Sequence, residues 1–168
     1  MIPVTREERH WFLRTVALGL YEHTGAAGPP VPVEEMLKHP PAAFEADFGV
    51  VDMYSNLWDA TFARPPNQRG SVFVRIDLPG DERRYALARE TLSALITSKH
   101  GRSLGLADLL LSDLWESAEY FARHLLAPEA LVEAYRVRNG DELEFGKAFG
   151  LPARAATARW EEAASASA

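Results

Sequence analysis

Residues Arg84–Gly101 read R-Y-A-L-A-R-E-T-L-S-A-L-I-T-S-K-H-G, and this stretch decides the fold of the chain. Apolar side chains recur in it at helical spacing, at Tyr85, Ala88, Leu92 and Leu95. Spacings of three and four residues place side chains on one face of an α-helix, so the stretch is predicted to be an amphipathic helix with that face against a core. The other elements are then expected to pack around it.

The composition indicates one compact domain. The chain has 168 residues, of which 47% are hydrophobic, which is enough for one core and too little for two comfortable domains. It contains no cysteine, which excludes disulfides, thiolate metal sites and cysteine nucleophiles. The net charge of -6 argues against nucleic-acid binding as the main activity, because neutralising phosphates needs a dense face of lysine and arginine. No apolar run resembles a signal peptide or a membrane span, so a cytoplasmic location is expected.

The chain is predicted to open with a long helix and a short one. Thr5 followed by Glu8 is typical of a capping box, and an apolar stripe continues from there to Tyr21 before Gly25 ends the helix. The prolines that follow form a stiff connector, because each fixes its own φ angle. A short helix is then predicted over Val33–Leu37.

Strand signals are confined to the middle of the chain. Ser71–Leu78 alternates β-branched residues with others and is the best strand, followed by a turn at Pro79 and Gly80. Asp81 is then expected to be the N-cap of the central helix. The segment Phe44–Phe62 is too apolar for an exposed loop and is interpreted as short strands or turns. The sequence therefore predicts a small β-sheet.

The C-terminal part is predicted to be helical. Proline and glycine divide it into four helices, over Leu106–Leu126, Glu129–Val137, Asp141–Phe149 and Ala153–Trp160. Residues 161–168 are expected to be a frayed tail. The predicted fold class is therefore α+β, a mainly helical single domain over residues 1–160 with a small β-sheet.

The order of these elements and two of their motifs resemble the ImmA/IrrE-type metallopeptidase family. Members of that family carry an A-H-E-x-x-H helix after a short sheet and, later, an E-A-x-x-F-A-x-x-L-L-x-P segment whose glutamate is the third zinc ligand. The second segment is matched at the right spacing by Ala118, Phe121, Ala122, Leu125, Leu126 and Pro128. The resemblance covers Val31–Trp160 and implies a zincin-like metallopeptidase architecture.

The residues that bind zinc in that family are replaced in this chain. Carried over along the motifs, the two histidine positions fall on Arg89 and Ser93, the general base on Glu90, and the third ligand on Ser117. Arginine is always protonated and cannot bind a metal, and a serine hydroxyl is a poor zinc ligand. The degenerate H-E-x-x-H motif therefore implies a pseudoenzyme without metal or other cofactor, in which Glu90 is vestigial.

An alternative interpretation of the site stays open. A metal-dependent peptidase with an atypical site would combine Glu90 with ligands such as Glu116, His100 or His124 and would cleave a regulatory protein. A shift of one residue turns a helical side chain by about 100°, so Glu116 is expected to face away from the position of the lost ligand. His100 is more readily explained as a polar residue at a helix end.

Arg89 is predicted to form an ion pair where the metal is bound in the family. Glu116 or Glu119, on the following long helix, could approach its guanidinium. Such a pair would tie the two helices together, and if it is partly buried, removing one partner would leave an uncompensated charge.

The expected function is binding to another protein. The family cleaves or displaces helix-turn-helix repressors, so the resemblance implies a regulatory or assembly subunit whose partner is a helix-turn-helix regulator or a larger complex. A strand at a sheet edge offers unpaired backbone groups to a partner. The groove between Ser71–Leu78 and the Tyr85–Lys99 helix is therefore the predicted surface, with Arg75 and Asp77 on its exposed face. The competing expectation is that Phe44–Phe62 covers this edge.

Overall fold

The computed structural model describes residues 4–138 and 140–166, and helices dominate this part of the chain. The α-helices are α1 (Arg6–Thr24), α2 (Val33–Lys38), α3 (Gly80–Thr97), α4 (Lys99–Ser103), α5 (Leu106–Leu110), α6 (Leu114–Leu126), α7 (Glu129–Arg138), α8 (Glu142–Phe149) and α9 (Ala153–Ala166). The strands are β1 (Val50–Met53), β2 (Ala60–Ala63) and β3 (Ser71–Arg75). The predicted α+β class, mainly helical with a small sheet, is confirmed.

Helix α1 begins and ends where the sequence predicts. The backbone N–H of Glu8 donates to the Thr5 hydroxyl at 3.2 Å, and the Glu8 carboxylate accepts from the Thr5 backbone, which completes the capping box. At the other end, Gly25 takes the left-handed conformation with φ of 66°. Among the described residues, no helix is both long and apolar enough to cross a lipid bilayer.

The central helix α3 is buried on more than one face. It contacts α2, α6, β2 and β3, and its fully buried side chains include Leu87 on the side of the helix opposite Tyr85 and Leu92. The prediction of one buried face therefore understates its role. Asp81 is not the N-cap: that position is held by Pro79, and the Asp81 carboxylate accepts from the N–H of Glu82 within the first turn.

Strand β3 lies in the centre of the sheet, between β1 and β2. Its residue Val72 is opposite Val50 of the parallel neighbour β1 and opposite Phe62 of the antiparallel neighbour β2. The prediction that this strand is an open edge is therefore wrong. The competing expectation is confirmed, because Phe44–Phe62 supplies one strand to each side of it.

Strand β3 is also shorter than predicted. The strand ends at Arg75, and Ile76 and Asp77 form a turn instead of continuing to Leu78. The backbone N–H of Ile76 donates to the Met53 carbonyl at the end of β1. The end of β1 thus fixes where β3 turns toward α3, and a pattern of alternating residues cannot show this.

The predicted helix over Leu106–Leu126 is interrupted. It ends at Leu110, and a 3₁₀ turn over Leu111–Asp113 precedes α6. The carboxylate of Asp113 lies 2.9 Å from the guanidinium of Arg9 on α1. This contact between distant parts of the chain accompanies the break, and helical periodicity alone does not reveal it.

Helix α9 is longer than the sequence predicts. It continues beyond Trp160 to Ala166, so the tail expected to fray from residue 161 is helical through that residue, and residues 167 and 168 lie outside the described part. Within the extension, Ala163 is buried and the Glu162 carboxylate binds Arg123 of α6 at 2.5 Å. These tertiary contacts stabilise turns that the alanine and serine composition does not indicate.

Candidate functional site

The carboxylate of Glu119 organises the contact between α3 and α6. Arg89 Nη1 donates to Glu119 Oε1 at 3.0 Å, and the Tyr85 hydroxyl donates to Oε2. Tyr85 and Arg89 share one face of α3 because they are four residues apart. Arg154 of α9 also donates to Oε2, at 3.2 Å. The predicted ion pair of Arg89 is confirmed, with Glu119 rather than Glu116 as its partner.

Two aromatic rings enclose the guanidinium of Arg89. Its central carbon lies 5.3 Å from the centre of the Tyr85 ring and 5.2 Å from that of Trp115, within the range of cation–π attraction. The side chain of Arg89 is only 12% exposed and that of Glu119 only 14%. The resemblance places the first zinc-binding histidine at position 89. That position instead holds an arginine whose charge is balanced by Glu119.

The partners of Glu119 favour its ionised form. Burial raises the pKa of the Glu119 carboxyl, but the hydrogen bonds from Tyr85 and Arg89 and the charge of Arg154 outweigh burial, so its pKa lies below the usual range. Burial and the bond to this carboxylate raise the pKa of Tyr85 well above its usual range. At neutral pH the contact therefore joins a carboxylate, a protonated phenol and two guanidinium groups.

Glu90, onto which the resemblance carries the general base, is a partly buried carboxyl near β2. Burial raises the pKa of the Glu90 carboxyl, and the nearby Ser93 hydroxyl, Arg89 charge and Phe62 backbone N–H lower it by less. Glu90 and Ser93 are thus brought together on α3. This pair offers one carboxyl and one hydroxyl, which is a poor set of zinc ligands.

Ser117 does not converge with Arg89. Helix α6 presents Trp115 and Glu119 to the Arg89 guanidinium, and Ser117 leaves the helix about 160° from both at 100° per residue. Its side chain is fully buried, and its hydroxyl has no hydrogen-bond partner in the described structure. The residue onto which the resemblance carries the third zinc ligand therefore lies within the packed interior, on another face of α6.

The residues considered as atypical metal ligands contact different parts of the molecule. Glu116 faces α1, where its carboxylate binds Arg6 at 2.5 Å. His100 is exposed in α4, and His124 lies near the end of α6 against α9. Within residues 4–138 and 140–166, no group of three or more histidine, aspartate or glutamate side chains is placed to hold a metal ion.

Arg75 and Asp77, the predicted binding residues, hold the turn after β3. Arg75 Nε donates to Asp77 Oδ1 at 2.7 Å, and its Nη1 donates to Asp59 Oδ1 at 3.2 Å. The hydrogen bond from Arg75 lowers the pKa of the Asp77 carboxyl. Both side chains thus have a local structural role, and their part in binding stays a prediction.

An exposed apolar patch lies in the loop between β1 and β2. This loop patch consists of Tyr54, Leu57 and Trp58, which are 89%, 73% and 54% exposed. Backbone hydrogen bonds from Arg75 and Ile76 hold both ends of the loop against β3. Grouped large apolar side chains on a surface mark interaction sites. The sequence does not mark these residues as a separate surface, because Phe44–Phe62 is apolar along its length and is interpreted as short strands or turns.

Comparison with known proteins supports the fold. No protein-family model and no curated protein matches the chain. Among solved structures, a Mycobacterium tuberculosis transcriptional regulator is similar, with a TM-score of 0.61 and 18% sequence identity, and the match covers 88% of this chain and 46% of the regulator. At this identity the likeness shows the fold alone. The chain spans less than half of the length of that regulator.

Proposed function

We propose that this protein is a catalytically inactive, metallopeptidase-like protein that binds another protein as a regulatory or assembly subunit. The observation that carries the proposal is the Arg89–Glu119 ion pair. In the zincin-like architecture that the resemblance implies, α3 and α6 are the metal-binding helices, and a guanidinium between them repels a divalent cation. The same ion pair, with the Arg154 contact, stabilises the packing of the helices instead.

The regulatory part of the proposal is supported by the similar structure. That protein is named a transcriptional regulator, and the matched region makes up 46% of it, so a fold of this kind occurs there beside further polypeptide. We infer a comparable association here, with a helix-turn-helix regulator or a larger complex as the partner. The net charge of -6 supports a protein partner over nucleic acid.

The purified protein is expected to contain no stoichiometric zinc. The positions of the zinc ligands hold Arg89, Ser93 and Ser117, and none of these side chains is a good ligand. Elemental analysis of protein prepared without chelator measures the metal content directly. Added zinc is also expected to leave the Tm unchanged, since a ligand that binds the folded state preferentially would raise it.

One tightly held zinc per chain would contradict the proposal and support the alternative, a metal-dependent peptidase with an atypical site. The raised pKa of Glu90 is the observation that favours this alternative. In that case Glu90→Gln should abolish zinc-dependent cleavage of a protein substrate while the bound zinc is retained. Thr97→Ala, on the exposed surface of the same helix, is the matched control.

The loop patch is the surface that we assign to the partner. Replacing Leu57 and Trp58 together by serine is expected to reduce recovery of the partner by about tenfold or more, because buried tryptophan anchors dominate binding energies. The measurement is quantitative affinity purification from the native cells. Val137→Ser is the control, since Val137 is 88% exposed on α7, outside the patch and outside α8 and α9. Equal recovery with the parent, the double variant and the control would show that the patch is not the interface. Helices α8 and α9 would then be the better candidates.

A further inference from the structure

A cavity of about 520 Å³ opens between α1, α6 and α9. Its lining includes Trp11, Arg14 and Leu18 from α1, Tyr120 and His124 from α6, and Glu162 from α9. This volume lies within the range of small-molecule sites, which combine apolar walls with a few converging polar groups. No residue of the degenerate motif belongs to it, so it is distinct from the contact between α3 and α6.

On the α1 wall of the cavity, one arginine lies between two large apolar side chains. Trp11, Arg14 and Leu18 recur at three- and four-residue spacing and so share one face of the helix. Trp11 is 61% exposed and Leu18 46% exposed, although both are large apolar side chains. A ligand with an apolar body would remove this surface from water, which is favourable in proportion to the area covered.

Arg14 is the cation on the α1 wall of the cavity. Its Nη1 donates to the Tyr120 hydroxyl at 2.6 Å, and in the described part of the chain no carboxylate lies within ion-pair distance of it. Tyr120 is 5% exposed and stacks on His10, with the ring centres 3.7 Å apart, so its hydroxyl is held in place. Because that hydroxyl accepts from Arg14, its own proton can be donated to a ligand, and the two side chains together offer donors to one anion.

Two polar side chains of the cavity lining contact each other. His124 is 7% exposed, and its Nε2 lies 3.2 Å from Glu162 Oε2, a contact that helps to lower the pKa of Glu162. Burial is the main reason that the pKa of His124 falls to about 4, so the ring is neutral at pH 7. His124 therefore adds no positive charge to the lining.

The remaining charges of the cavity compensate one another. Arg159 binds Glu129 at 3.1 Å, and Glu162 binds Arg123 at 2.5 Å. These are two complete pairs, each of one arginine and one glutamate. Among the charged residues that line the cavity, all of them in the described part of the chain, Arg14 is the one without an ion pair, and its sign favours an anion even though the chain as a whole is acidic.

We propose that this cavity binds a small organic carboxylate with an apolar body. Arg14 and the Tyr120 hydroxyl hold the carboxylate, and Trp11 and Leu18 cover the apolar body. Binding at this site is independent of the proposed protein-binding function, because it uses neither the loop patch nor the Arg89–Glu119 pair.

Three acids and their neutral amides test the chemistry of the ligand. Indole-3-acetate, phenylacetate and hexanoate are titrated into the full chain by calorimetry, alongside indole-3-acetamide, phenylacetamide and hexanamide. At least one acid is expected to bind saturably, and its amide about tenfold more weakly or worse, because a hydrogen bond between charged groups is lost. Equal affinity for acid and amide, or no saturable binding of any of the six compounds, would overturn the proposal.

Variants then locate the site. Arg14→Gln is expected to lower the affinity for the acid by about tenfold or more, and Tyr120→Phe by less, since the phenyl ring keeps its stacking on His10. Arg14 is exposed, so its replacement should leave the Tm unchanged. Arg138→Gln, an exposed arginine on α7 outside the cavity, is the matched control and should bind the acid as the parent does. Unchanged affinity in Arg14→Gln would show that the acid binds elsewhere and would refute the assignment.

Discussion

Replacing Glu119 by alanine is expected to lower the free energy of unfolding by about 3 kcal/mol, because the change leaves buried partners without their carboxylate. Arg89 is 12% exposed and would keep its charge between α3 and α6, and the Tyr85 hydroxyl would lose its acceptor. For a chain of this size such a loss corresponds to a Tm lower by about 6 to 12 °C. Equilibrium unfolding in urea at pH 7 measures it directly.

A matched control and a double-mutant cycle isolate the contribution of the ion pair. Glu133→Ala removes an exposed carboxylate from α7 and should change the free energy of unfolding by less than about 0.5 kcal/mol. Arg89→Met, alone and combined with Glu119→Ala, completes the cycle, and a coupling well above that of a surface pair is expected. A loss below about 1 kcal/mol in Glu119→Ala would place the pair with ordinary surface salt bridges. It would then no longer explain how α3 and α6 are held.

Acid is expected to destabilise the fold through His124 before the carboxylates titrate. The pKa of His124 falls from the ordinary 6.5 to about 4, chiefly because of burial, so the folded protein binds its proton less readily than the unfolded chain. Stability from this residue is therefore fully present above pH 6.5 and is lost as the pH falls toward 4. The shift corresponds to a loss of about 3 kcal/mol in total, of which about 2 kcal/mol is lost by pH 5.

Urea unfolding at pH 7 and pH 5 tests this window. The His124→Asn variant should lose much less stability between the two values than the parent, because the titrating group is gone. His100→Gln removes an exposed histidine from α4 and should keep the full pH dependence. Part of the loss remains in His124→Asn, since burial also lowers the pKa of His10. If His124→Asn and the parent lose stability equally, the effect belongs to another group.

Glu162 acts in a separate and lower pH range. Burial raises the pKa of its carboxyl, but the contacts with His124 and Arg123 outweigh burial and bring the pKa to about 2. Near pH 4.5 the carboxyl of Glu162 therefore takes up a proton in the unfolded chain, whereas in the folded state it stays ionised. Stability from Glu162 is lost below that value, so it does not interfere with a comparison between pH 7 and pH 5.

The sequence by itself determined the features that depend on neighbouring residues. The Thr5–Glu8 capping box and the end of α1 at Gly25 are formed as predicted, because the groups involved lie within one helical turn or are set by one backbone conformation. The helical course of Arg84–Gly101 up to Thr97 followed from its own periodicity. The class of the fold followed from the order of such local signals.

Only the tertiary structure decided which distant groups meet. It placed β3 between two strands, bound Glu116 to α1 so that Glu119 became the partner of Arg89, and turned Ser117 into the interior. It also buried Arg159 to 1% exposure, although its neighbours in sequence suggest a surface cation. These outcomes depend on the relative rotation and packing of whole elements. Successive residues of a helix point about 100° apart, and local sequence signals do not determine which face of the helix turns toward its neighbour.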